Sequence, residues 1–131
     1  MLFRIDASNG LAIYDQISRQ MKFAIAHGAV RSGELIPSVR ELANQLAVNP
    51  NTVARAYRDL QVEGVVEPLR GEGLRVTKSA LELCRRDRQS LLRTRLRGAI
   101  AECRSGGLTT PEIRVLIDEV LQDTAEMAST A

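Results

Sequence analysis

The chain has 131 residues, which suits one ordinary domain or a small domain with an appendage and is too short for two full domains. With 44% apolar and 26% charged residues it reads as soluble and globular. The longest uncharged run, 42–54, is 13 residues with three Asn, a Gln and a Pro, whereas a bilayer span needs roughly 20 apolar residues, so no transmembrane helix is expected. The opening Met-Leu-Phe-Arg-Ile-Asp has no basic leader before an apolar core, so no secretory signal is expected and the default location is the cytoplasm.

Two cysteines, Cys84 and Cys103, make neither a disulfide framework nor a thiolate zinc site, and they read as small apolar packing residues. The single histidine, His27, stands before Gly28 at a helix end and reads as a C-terminal cap residue. No nucleophile-base pair and no metal set can be assembled from this material, so an enzyme is not expected. Of the 18 basic residues, 16 are arginine, the side chain suited to bidentate contact with phosphate and guanine.

The first predicted helix runs from Ile13 to His27, with Tyr14, Ile17, Met21 and Ile25 as one apolar stripe. Residues 29–36 read as a loop or short strand. A second helix opens at Pro37-Ser38, where Ser38 and Glu41 have capping-box spacing, and ends near Leu46 or Ala47. Asn49 then caps a third helix with Pro50 at its first position. Val53, Ala56, Tyr57 and Leu60 are its buried stripe, and Gly64 closes it. Val65–Leu69 and Leu74–Thr77 are β-like runs joined by Arg70-Gly71-Glu72-Gly73, a suitable hairpin tip, and Pro68 suggests an exposed sheet edge.

A long helix is predicted over Ser79–Arg104 and a last one from Thr110, with Thr110 as N-cap, Pro111 first and a frayed tail from Met127. Residues 79–104 carry net charge +4 and residues 105–131 net −4. The pair is therefore expected to lie against each other or against each other's copies. Leu92, Leu96, Ala99 and Cys103 mark an apolar face on the first, and Ile113, Leu116, Ile117, Val120 and Leu121 one on the second.

Two short helices joined by about three residues are a helix-turn-helix, and a hairpin behind them is a wing. Asn51, Thr52, Arg55 and Arg58 are left facing outward near the start of the second helix, which in such a motif enters the major groove.

Taken together, Ala12-Ile13-Tyr14-Asp15-Gln16-Ile17, Ile36–Ala43, Val48–Tyr57, Leu60, Glu63-Gly64, Gly71-Glu72-Gly73 and Val76 closely resemble the winged-helix domain of GntR-family bacterial transcriptional regulators. The resemblance covers about residues 3–78, and the remainder is similar to the two-helix dimerisation tail of the YtrA-like subfamily. It implies an α+β, mostly α chain: a winged helix-turn-helix domain at 1–78 and a helical dimerisation tail at 79–131. It implies a homodimeric regulator, expected to be a repressor at an inverted-repeat DNA operator, with no cofactor, no metal, no membrane partner and an effector that the sequence does not identify. Arg40, Asn51 and Thr52 match DNA-contacting positions of the family, and Gly71, preceded by Arg70 and followed by Gly73, matches the wing tip. Three departures are Pro50 where many relatives carry Arg, Ala12 where Pro is common, and Arg75 where an aromatic residue is common. The competing expectation is a winged helix used for protein contacts, which salt-dependent DNA binding would separate from the first.

Overall fold

The structure, a computed structural model, describes residues 3–8 and 10–130, with side chains through residue 128. Its elements in chain order are α1 (Ile13–Ala26), α2 (Val39–Leu46), α3 (Pro50–Val62), β1 (Val66–Leu69), β2 (Gly73–Val76), α4 (Ala80–Ser105) and α5 (Thr110–Thr130). They form two compact units, and the division falls inside α4 between Gln89 and Ser90.

In the first unit α1 and α2 both pack on α3. The predicted stripes supply the core: Ile17, Met21 and Ile25 of α1, Leu42 and Ala43 of α2, and Val53, Ala56, Tyr57 and Leu60 of α3 are all buried. Local chemistry sets the helix ends. The Ser38 hydroxyl accepts the Glu41 N–H at 3.1 Å, and the Asn49 side chain accepts the Asn51 N–H at 2.8 Å ahead of Pro50. His27 is the C-cap of α1, and Gly28 follows with φ +87°, as the sequence predicts. Between α2 and α3 the chain turns through Ala47, whose φ of 54° puts a residue with a Cβ in the left-handed region.

Gln16 and Gln20, one helical turn apart, hold the segment before α1. The Gln16 side chain accepts the Asp6 N–H at 2.8 Å and donates to the Asp6 carbonyl at 2.7 Å, while Gln20 accepts the Arg4 N–H at 2.7 Å. Phe3 and Ile5 of that segment lie against the core. These amides pair backbone groups of a segment that belongs to no helix or strand.

The wing is antiparallel, in register from Val66 opposite Val76 to Leu69 opposite Gly73. On the other side of β2, Gly33 N–H donates to the Val76 carbonyl at 2.8 Å and Ile36 N–H to the Leu74 carbonyl at 3.0 Å. That leaves β1 as the outer edge, where Pro68, lacking an N–H, costs no ladder bond. Val65 stays outside β1 because its N–H bonds the Leu60 carbonyl and closes α3.

The first compact unit continues past Lys78 through the first turns of α4. Ala80 and Cys84 are fully buried in its core. Arg85 Nε donates to the Ala26 carbonyl at 3.1 Å, and Lys22 bridges Glu63 at 3.1 Å and Asp87 at 3.5 Å. Cys84 is thus the apolar packing residue its composition suggested.

The second unit comprises the rest of α4, a turn at Gly106-Gly107, and α5. Gly107 has φ +91°, and the Leu108 N–H returns to the Cys103 carbonyl at 3.1 Å. Two expectations for α5 are corrected. The cap is Thr109, not Thr110: its hydroxyl accepts the Glu112 N–H at 3.4 Å, and the Glu112 carboxylate accepts the Thr109 N–H at 3.0 Å. Glu112 stands three residues after Thr109, so only that threonine can close the reciprocal box. The backbone N–H of Thr109, then its hydroxyl, hold the Glu112 carboxyl below the usual carboxylate range. Met127 is also helical rather than the start of a frayed tail, because α5 runs to Thr130; Ala131 lies outside the described residues. No helix among the described residues is long and apolar enough to cross a membrane.

Candidate nucleic-acid interface

The start of α3 is fixed before any ligand arrives. Asn49 and Pro50 define its first turn, and Tyr57 anchors its inner face: the phenol donates to the Pro37 carbonyl at 2.7 Å. Burial, followed by the nearby Glu41 carboxylate, pushes the Tyr57 phenol well above its ordinary range, so it stays a neutral donor. This bond ties α3 to the loop entering α2, and sequence periodicity gives only the ring's burial, not its hydroxyl's partner.

With Val53, Ala56 and Leu60 turned inward, the opposite side of α3 is polar. Asn51, Arg55 and Arg58, spaced four and three residues apart, are exposed, and Thr52 beside them is half-buried. Arg40 is exposed at the second residue of α2. Arg70, Gly71 and Gly73 are exposed at the wing tip, where the Glu72 N–H closes the turn on the Leu69 carbonyl at 2.9 Å. Gly71 and Gly73, with φ of +80° and +117°, supply backbone that residues with side chains rarely adopt. The site residues predicted around Arg40 and α3 therefore lie on neighbouring elements, and the wing set lies on a separate one.

Two pairings escape a reading of local pattern. The Arg55 guanidinium lies over the Tyr14 ring, 3.7 Å from its centroid. Tyr14, predicted as part of the α1 stripe, is half-buried against the core and carries this cation on its ring. Arg75, whose role the sequence leaves open, donates from Nε to Glu67 at 2.9 Å across the strand pair. Opposite charges facing each other across the two strands support the pairing of the wing. An open groove of about 740 Å³ between the 29–39 segment and β2 is lined by Glu34, Glu41 and Glu72, the wrong sign for phosphate. Among the described residues no cluster of His, Cys, Asp or Glu could hold a metal ion.

Two short helices about a tight turn, a cationic and amide-bearing outer face on the second, and a hairpin behind them define a winged helix-turn-helix, the architecture of a DNA-binding module. The profile of the bacterial regulatory proteins of the gntR family matches residues 13–76. The HTH-type transcriptional repressor YtrA of Bacillus subtilis is 33% identical over 93% of this chain and 94% of that protein. The chain belongs to the GntR family of bacterial regulators.

A crystal structure of a transcriptional regulator from Oenococcus oeni matches with a TM-score of 0.75, at 28% identity over 92% of this chain and 99% of that one. The DNA-binding domain of AraR, solved in complex with operator ORE1, matches with a TM-score of 0.50, at 25% identity over 59% of this chain and 94% of that one. The relatives are regulators of transcription rather than enzymes, and the predicted winged helix-turn-helix with C-terminal helices is the fold observed.

Proposed function

We propose that this chain is a homodimeric transcriptional repressor that reads an inverted-repeat operator. The start of α3 enters the major groove, where Asn51 and Thr52 meet base edges or phosphates and Arg55 and Arg58 hold the flanking backbone. Arg40 contacts DNA from α2. The wing tip, Arg70 with Gly71 and Gly73, approaches the backbone at the minor groove. The observation that carries the reading is the capped, rigidly anchored start of α3 with an exposed polar stripe and no acidic residue in its first turn. Repression is drawn from the relatives named as repressors.

The dimer rests on the second unit. Leu92, Leu96, Ala99, Leu116, Val120 and Leu121 are exposed there, and Cys103 and Ile117 are half-buried; of the expected tail face only Ile113 is buried. Apolar surface on this scale, on helices of net charge +4 and −4, suits a second copy of the same chain. A dimer also supplies the two half-sites that one small winged domain lacks. As a bacterial reader of chromosomal DNA, the protein would work in the cytoplasm. Sedimentation equilibrium of the full chain at micromolar concentration tests the assembly: a dimer supports it, and a monomer contradicts it.

A further inference from the structure

We propose that Tyr14 is a positioning residue for DNA binding: its ring holds the Arg55 guanidinium in place, so that Arg55 N–H groups meet an operator phosphate. The inference deepens the proposed function and rests on the reading that the outer face of α3 meets DNA.

The geometry is specific. A centroid distance of 3.7 Å is face contact, well inside the roughly 6 Å limit for attraction between a cation and an aromatic ring. Among the described residues no hydrogen bond or ion pair engages the Arg55 N–H groups, so the donor fork that matches a phosphate is left available beside the ring. The ion pairs among the described residues engage Lys22, Arg75 and Arg86, and Arg55 is in none of them. A ring partner holds the side chain without neutralising it, as a carboxylate would. An arginine ordered in advance loses less conformational freedom on binding, which raises affinity.

The position favours phosphate over bases. Tyr14 is the second residue of α1, and α1 packs on α3. The contact ties Arg55 to a residue of α1, whereas Asn51 and Thr52 stand in the first turn of α3. A side chain held at the flank of a helix lying in the major groove faces the sugar-phosphate strand rather than the base edges. The stripe on α1 thus does two jobs: Ile17, Met21 and Ile25 fill the core, and Tyr14 at its open end serves the interface.

The test is a double-mutant cycle on the full chain, read as affinity for a selected operator and for unrelated duplex at several salt concentrations. Arg55→Ala is expected to weaken binding to both DNAs and to flatten the salt dependence by about one phosphate. Tyr14→Leu keeps an apolar side chain but removes the ring, and a roughly two- to fivefold loss is expected. Tyr14→Phe keeps the ring and is expected to bind within about twofold of wild type. The combined Tyr14→Leu, Arg55→Ala variant is expected to bind no more weakly than Arg55→Ala alone, because the ring acts through the arginine. Additive losses, or a Phe variant as weak as the Leu variant, overturn the proposal; thermal melting of each variant accompanies the cycle to show that the fold is kept. If Arg55→Ala binds like wild type while Thr52→Ala is weakened, the proposal fails and the groove reading stands. If neither variant is weakened, both fail.

Discussion

Ending the chain after Lys78 should leave the winged unit markedly less stable than ending it after Gln89. The shorter chain loses Ala80 and Cys84, both fully buried against the core. One methyl and one small thiol side chain withdrawn from water contribute about 2 kcal/mol, and the apolar surface they cover is exposed as well. The Arg85 bond to the Ala26 carbonyl adds about 1 kcal/mol. The Lys22–Asp87 contact adds less than about 1 kcal/mol, because the Asp87 side chain is 54% exposed. Ordering the last turns offsets part of this, leaving a net difference of about 2–4 kcal/mol. For a small domain of about 5–15 kcal/mol total stability, that is a large fraction. Urea unfolding of the two truncated chains should place the shorter one about 1–3 M lower in midpoint. Equal midpoints would refute the view that α4 begins as part of the winged unit.

Arg40→Ala and Thr52→Ala should each weaken operator binding by about 1–3 kcal/mol in a titration at fixed salt, with melting unchanged; wild-type binding by both would remove α2 and α3 from the groove. Arg70→Ala should lower affinity for operator and unrelated duplex alike and reduce the salt slope by about one, and an unaltered slope would mean that the wing does not touch the backbone. Burial pushes the Cys84 thiol up to about 11, so peptide mapping after treatment with a thiol reagent at neutral pH should find it unmodified until the chain unfolds. Because its folded value lies above the ordinary 9.0, its contribution to stability is complete below pH 9 and is lost as pH rises toward 11, a decline that unfolding curves in that window should show and that a flat profile would contradict.

Much of this molecule is written locally. The 3/4 spacing of Ile17, Met21 and Ile25, the Ser38 and Asn49 caps, Pro50 at a helix start and the glycines of the wing tip each act within a few residues, so sequence alone places α1, α2, α3 and the hairpin. The exposed residues of the candidate interface follow by subtraction, since they are what the buried stripes leave outside.

Features that depend on distant partners are not legible in that way. Tyr14 fits a hydrophobic stripe equally well with or without Arg55 over its ring, 41 positions along the chain. Gln16 and Gln20 look like ordinary polar positions until the segment before α1 folds back onto them. The packing of Ala80 and Cys84 is hidden for the same reason: both fall after Lys78 in a stretch that reads as one long helix, and only their burial assigns them to the first core. At α5 the local signal was present but ambiguous, since Thr109 and Thr110 both precede a proline and only the spacing to Glu112 separates them.

The central claim is that two copies of this chain present two α3 helices to one stretch of DNA. Selection of fragments from random-sequence duplex by the purified full chain, followed by sequencing, tests it most directly. The account predicts enrichment of an inverted repeat whose two half-sites are related by the dimer's two-fold axis. Enrichment of a single unrepeated half-site, or no enrichment over input, would contradict it.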